Sequence, residues 1–278
     1  ISFVILLTTC MSLSLGQSML KVVDTYTSDV PVASRIDKSS AEIPAFDPLT
    51  KRVFVSNDVN KSLDVLQLES NATLSKLFSL PLSSYGGGVN AVSVSNGLVA
   101  VAVQANTKQD AGKVVIFSTS VEQNGTPLAN PTVGSLPDHL AFTKDGKRIV
   151  VANEGEPNDA YTVDPIGSIS IIDLNSYGEF LQTQVIDLNF SSFDSSKQKL
   201  ISQGVRIFGN DGNVTVSQDL EPEYVAITED SSKAFVTLQE NNAFAVVDLA
   251  KLEITEILPL GYKDWGRLGL SFDASNKD

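Results

Sequence analysis

One phrase recurs four times along this chain and limits what it can fold into. An apolar strand runs through a short polar turn into a very apolar second strand, then through a polar loop into a third. The second strands read VFVSN (53–57), VAVAVQ (99–104), IVVAN (149–153) and AFVTLQ (234–239). The third strands read LDVLQL (63–68), KVVIFS (113–118), SISIID (168–173) and AFAVVD (243–248). A weaker fourth strand follows, as in TQVIDL (183–188) and ITEILPL (254–260). Val- and Ile-rich runs bounded by turn formers read as strands. The turns DPLTK (47–51), SNG (95–97), KDGK (144–147) and EDSSK (229–233) supply residues that tolerate tight-turn backbone angles. Successive second strands start 46 residues apart (53 to 99), then 50 (99 to 149), and the third step is longer. That period suits a four-stranded propeller blade. A β-sandwich would space its strands evenly without repeating the whole phrase. The expectation is an all-β β-propeller with four-stranded blades of the YVTN/WD40 kind, an incomplete ring of about four to five blades.

The longer step holds an insertion at about 190–218, where SSFDSSKQKLISQGVRIFG predicts a short helix ending near Gly204. Residues 19–40 are less periodic, and KVVDTYTS reads as an edge strand that closes the ring or starts a first blade. The opening ISFVILLTTCMSLSLGQS has an apolar run, a small-residue zone near Ser14 to Ser18, and no charge before Lys21. It reads as a partial secretory signal over residues 1–18, too short and polar to span a membrane. Residues 19–278 then form the propeller domain. The last residues, DASNKD, follow a strand-like SF, so that domain reads as truncated at its C-terminus.

Cys10 is the only cysteine and lies within the signal-like segment. A disulfide framework, a cysteine nucleophile and a thiolate metal site are therefore excluded from residues 19–278. The net charge of −13 disfavours nucleic acid and anionic lipid and favours cations or basic partners. A membrane contact is expected only through a C-terminal anchor beyond this sequence. Five Asn-x-Ser/Thr sequons, at Asn60, Asn71, Asn124, Asn189 and Asn213, fit a glycosylated protein outside the cell.

Four longer phrases carry a family resemblance: AEIPAFDPLTKRVFVSN (41–57), GSLPDHLAFTKDGKRIVVANEGEPNDAYTVDPIGSISIIDL (134–174), QDLEPEYVAITEDSSKAFVTLQENNAFAVVDL (218–249) and LGYKDWGRLGLSFDASNKD (260–278). Together they resemble the choice-of-anchor propeller domain shared by bacterial surface proteins and the mesenchyme-specific cell surface glycoproteins of skeleton-forming marine animals. The resemblance runs from about residue 22 to the end, and WGRLGLSF after LGYKD departs from the family's more polar stretch. It implies a secreted or surface-anchored glycoprotein linked to calcium biomineralisation, with calcium or its mineral and basic matrix proteins as partners. Some bacterial relatives are alkaline phosphatase-like, but no defined catalytic set carries over.

Propeller topology places the loop entering each first strand and the loop joining second to third strands on one face. Asp138, His139, Asn153, Glu154, Glu156, Glu221, Glu223, Glu240 and Asn241 are thus expected at one mouth. Asn57 and Asp58 match them in the first repeat, Gln104 and Asn106 in the second. Asp138, Asn153, Glu154, Glu156, Glu221, Glu223, Glu240 and Asn241 are the candidate metal ligands. Crowded carboxylates raise one another's pKa unless a cation balances them, and calcium takes six to eight oxygen ligands. No EF-hand spacing is present, and the bland alternative is a solvated acidic rim. Asp264, Asp273 and Asp278 are weaker candidates for the same mouth.

His139, the sole histidine, is a general base or ligand on one reading and a core-edge residue on the preferred one. No GxSxG, Walker loop, HExxH or paired-cysteine zinc pattern occurs. GGG (86–88) reads as turn chemistry, and Trp265 as packing. A binding or structural role through an acidic mouth is expected. The alternatives are a calcium-dependent phosphatase or phosphodiesterase using metal-activated water and a metal-free protein-binding propeller. Phosphate chemistry calls for Lys or Arg beside the acids; the acidic loops LPDH (136–139), NEGEPNDAYTVDP (153–165), LEPEY (220–224) and QENNA (239–243) carry none, leaving Lys263 and Arg267.

Overall fold

A computed structural model describes residues 3–7, 21–31, 40–177, 180–262, 264 and 266. A two-stranded antiparallel pair, β1 (Phe3–Leu7) and β2 (Lys21–Tyr26), precedes four sheets. The first blade is β3 (Pro44–Asp47), β4 (Arg52–Asn57), β5 (Ser62–Leu68) and β6 (Leu74–Pro81). Blade two is β7 (Gly88–Ser95), β8 (Leu98–Gln104), β9 (Ala111–Ser118) and β10 (Thr132–Ser135). Blade three is β11 (Pro137–Phe142), β12 (Arg148–Asn153), β13 (Ser168–Tyr177) and β14 (Phe180–Asn189). Blade four is β15 (Pro222–Ile227), β16 (Lys233–Leu238), β17 (Ala243–Asp248) and β18 (Glu253–Pro259). Each sheet is an antiparallel meander in chain order, and first strands of consecutive sheets touch, β3 with β7, β7 with β11 and β11 with β15. This is the propeller read from the repeat.

The second strands show why the repeat folds this way. In β12 every residue from Ile149 to Asn153 is buried. Ile149 and Val151 pack with Ala91, Ala100 and Ala102 of blade two, while Val150 and Ala152 pack with Val225, Val236 and Ala245 of blade four. A strand turns alternate side chains to opposite faces, so a continuous apolar run is what a sheet between two sheets requires. Each such Val or Ile side chain contributes roughly 1.5–3 kcal/mol on burial.

Polar stitches add to these seams. The Arg52 guanidinium, opening β4, donates to the Thr119 and Val121 carbonyls of blade two at 2.9 and 2.7 Å. Arg148, opening β12, pairs with Asp173 at 2.5 Å and also donates to the Leu249 carbonyl of blade four. The segment between β14 and β15 is helical. A 3-10 turn (Ser191–Ser196) leads into α1 (Lys197–Gln203), which ends on Gly204 at φ 103, and α2 (Val216–Asp219) is capped by Thr215. Its Leu200, Val205, Ile207, Val214 and Val216 join the core between blades three and four. The expected cleavage zone near Ser14 to Ser18 lies outside the described residues.

Candidate functional site

The mouth is built where strand ends deliver acids from two blades and the insertion. Asp138 and Glu223 occupy the second residue of the equivalent strands β11 and β15. Glu154 follows β12 directly, and its N–H donates to the Leu136 carbonyl at 2.9 Å. Glu221 precedes β15, with its N–H on Asn241 Oδ1 at 3.1 Å.

These carboxyls repel one another. Burial, then the charges of Asp138, Glu156, Glu221 and Glu223, push Glu154 up to about 8. Burial, then Glu156, Asp219, Glu240 and Asp164, push Glu221 up to about 7. Burial raises Asp138, with Glu42 and Glu156 adding and Lys108 opposing. Burial raises Glu223 too, followed by Asp138 and Glu240. Carboxyls titrating this high are short of compensating positive charge. Glu154, Glu156, Glu221 and Glu240, with Tyr161 and Phe208, line an open cleft of about 360 Å³.

Two candidates have structural posts. Asn241 is buried, and its Nδ2 donates to the Arg206 and Asp219 carbonyls at 2.9 and 2.6 Å while its Oδ1 takes the Glu221 N–H. Its amide is fully engaged in holding the insertion to blade four. Asn153 is buried at 0% exposure and donates to Ser168 and Ser170 hydroxyls at 3.1 and 2.8 Å, so its side chain lies in the sheet rather than at the rim. Its Oδ1 is buried without a hydrogen-bond partner among the described residues. In the first repeat Asn57 has the same role, donating to Asp64 at 3.0 Å.

Among the described residues, no three His, Cys, Asp or Glu side chains stand close enough to hold a metal ion between them as placed. The acids therefore meet through charge across a wide mouth rather than as a closed coordination shell.

Sequence reasoning missed Lys108. It sits in the loop between β8 and β9, and its ammonium reaches Glu156 at 3.0 Å in an exposed ion pair. Glu156, first, then Glu154 and Asp138 raise the Lys108 pKa against desolvation. The neighbouring Gln109 donates to the Glu156 carbonyl at 3.1 Å. The topological rule that gathered the other loops, carried past Asn106, points to this residue as well.

His139 is the core-edge residue. It is 8% exposed, burial pulls it down to about 4, and its Nδ1 accepts the Val225 N–H at 3.3 Å. Asp264 is exposed and takes the Gly266 N–H at 3.0 Å. Lys263, Trp265, Arg267, Asp273 and Asp278 lie outside the described residues. Asn60, Asn71, Asn124, Asn189 and Asn213 are all exposed.

The model of the choice-of-anchor I domain matches residues 42–278. The chain belongs to that family. Membership makes it a surface-associated propeller, at the cell surface or outside the cell. No curated protein matches the chain. Solved structures match by fold. One is a functionally unknown protein from Desulfotomaculum acetoxidans, with TM-score 0.57 and 12% identity over 86% of this chain and 61% of that one. A putative 6-phosphogluconolactonase from Bacteroides uniformis gives TM-score 0.54 and 12% identity over 87% and 63%. The Dos1 propeller gives TM-score 0.53 and 11% identity over 88% and 51%. At such identities the likeness concerns the fold alone. The choice-of-anchor chain spans 61% and 63% of the length of the first two. No helix among the described residues is long and apolar enough to cross a membrane.

Proposed function

We propose that this choice-of-anchor propeller is a secreted or cell-surface glycoprotein whose acidic mouth binds calcium. The observation that carries the reading is the mutual repulsion of Asp138, Glu154, Glu156, Glu221 and Glu223 on the strand ends and loops of two adjacent blades. A divalent cation relieves it, because each carboxylate held near its neighbours becomes easier to ionise beside the ion. Binding would draw Glu154, Glu221 and Glu223 inward from their present spacing, with carbonyls and water completing the oxygen set. Five exposed sequons favour glycosylation in a eukaryotic secretory pathway. The finer reading is a role in a mineralising extracellular matrix, where calcium, its mineral or a basic matrix protein meets the mouth.

The test is a calcium titration at pH 8 followed by calorimetry and thermal melting. Saturating calcium is expected to raise Tm by about 5 °C, and Glu154→Gln with Glu221→Gln is expected to remove most of that rise. No heat and no shift would leave a metal-free protein-binding propeller.

Lys108 favours a second reading, a calcium-dependent phosphohydrolase, because it places an ammonium beside the acids where a phosphate would need one. Turnover of a chromogenic phosphate ester that requires calcium and is abolished by Glu154→Ala or Glu223→Ala would establish it. Absence of turnover in a calcium-binding protein leaves the binding role.

A further inference from the structure

The cleft of about 360 Å³ at the mouth carries more than acids. Two of its lining side chains are aromatic, Tyr161 from the β12–β13 loop and Phe208 from the insertion, 44% and 53% exposed. Val163 and Ile166 are exposed further along the same β12–β13 loop. Both loops are braced from within. Tyr161 keeps a left-handed backbone at φ 50, costly for an aromatic residue. Its N–H donates to the Asn158 carbonyl at 2.8 Å, and Asn158 Oδ1 takes the N–H groups of Thr162 and Val163 at 2.9 and 3.3 Å. In the insertion, the Asp219 carboxylate takes the N–H groups of Phe208 and Gly209 at 3.0 and 2.6 Å.

Calcium makes no use of aromatic rings, since it takes oxygen ligands. An organic cation uses both kinds of wall, because the face of a ring attracts it and a carboxylate pairs with it. The walls already hold two cations of the chain itself. The Arg206 guanidinium lies over the Phe208 ring, 5.1 Å from its centroid. The Lys108 ammonium reaches Glu156 at 3.0 Å. Among the described residues that line the cleft, six are Asp or Glu and none is Lys or Arg. Asp159 and Glu240 of this set are exposed.

We infer that the cleft receives an arginine side chain from a basic segment of a partner protein, an inference that rests on the reading of the mouth as a binding site. A guanidinium is flat and weakly hydrated, so it stacks on a ring while its fork meets carboxylates. A lysine ammonium is compact and strongly hydrated and gains less from a ring. Val163 and Ile166 offer apolar surface to the residues flanking that arginine, and Tyr, Phe and Arg are the side chains that interfaces favour. The net charge of −13 draws such a segment in from a distance.

The test measures binding of fluorescein-labelled hexa-arginine and hexalysine to the full chain by fluorescence anisotropy, in about 0.15 M salt so that long-range attraction is screened. Hexa-arginine is expected to bind at least about fivefold more tightly than hexalysine. Tyr161→Leu and Phe208→Leu are each expected to weaken hexa-arginine by about threefold and to leave hexalysine nearly unchanged. Equal affinities of the two peptides for the parent chain would overturn the inference without any variant. Variants that bind hexa-arginine as the parent does would overturn it as well. Calcium separates this inference from the reading beneath it, since Tyr161→Leu is expected to keep the full Tm rise with calcium. A calcium response without preference for arginine overturns this inference alone. Preference for arginine without a calcium response supports it and removes the calcium reading.

Discussion

The imidazole of His139 lies stacked on the ring of Tyr224, centroids 3.6 Å apart and planes 24° from parallel. The two residues hold equivalent places in the consecutive inner strands β11 and β15, and the Val225 N–H closes the contact on His139 Nδ1. That bond requires an unprotonated Nδ1, in keeping with burial that pulls the group down to about 4. The unfolded chain takes up a proton below its usual 6.5 and the folded chain does not, so this stability is full above 6.5 and lost as pH falls towards 4. The loss amounts to roughly 2–3 kcal/mol. In His139→Gln, the difference in denaturant midpoint between pH 7 and pH 4.5 is expected to shrink.

Glu154 has the opposite sign. Its folded value of about 8 stands above the ordinary 4.5. The contribution is therefore present below 4.5 and lost as pH rises through 8, a cost of roughly 2–4 kcal/mol at alkaline pH. Glu154→Gln is expected to melt several degrees above the parent at pH 8.5 and level with it at pH 4.5. Scanning calorimetry at the two pH values checks this.

Calcium binds those carboxyls only in their ionised form. Protons compete for the same oxygens, so the Tm rise with calcium is expected at pH 8 and to vanish near pH 5. Magnesium, which demands a tighter octahedral shell, is expected to give a smaller rise across so wide a mouth. Thermal shift with each ion at both pH values measures it.

Arg148 stitches blade three to blade four through the Leu249 carbonyl and pairs with Asp173 within its own sheet. Arg148→Ala is expected to cost roughly 1–3 kcal/mol. Arg148→Lys recovers less than half of that, since one ammonium cannot hold both partners. Urea unfolding of the two variants separates these outcomes.

Gly167 leaves room for the insertion. A Cβ there would lie 1.8 Å from the Leu220 carbonyl oxygen and 2.8 Å from Pro222. The Gly167 N–H also donates to the Ser217 carbonyl at 3.0 Å. Gly167→Ala is expected to destabilise by roughly 2–4 kcal/mol and to raise proteolysis within residues 190–220.

The propeller was legible because an apolar run such as VAVAVQ or IVVAN has one good home, a strand with a sheet on either side. Gathering the acids on one face needed only loop order. What the sequence hid was depth. Asn153 and Glu154 are neighbours, yet one side chain lies inside the sheet and the other at the rim, since Asn153 is the last residue of β12 and Glu154 the first beyond it. Asn241 resembled a ligand because its carbonyl oxygen is one, but its bonds to Arg206 and Asp219 depend on how the insertion docks, which no local pattern encodes. Lys108 stood in an unremarkable polar loop, and only the approach of blade two to Glu156 gives it a partner.

In every blade the hydrogen-bonded order follows the chain, so the last strand is always the outermost. A pull on the chain beyond Pro259 would therefore act first on β18 alone. Its bonds to β17 would break in succession, as a zip opens, before the link from Arg148 of blade three to the Leu249 carbonyl took the load. A surface protein built this way yields gradually under tension instead of failing at once.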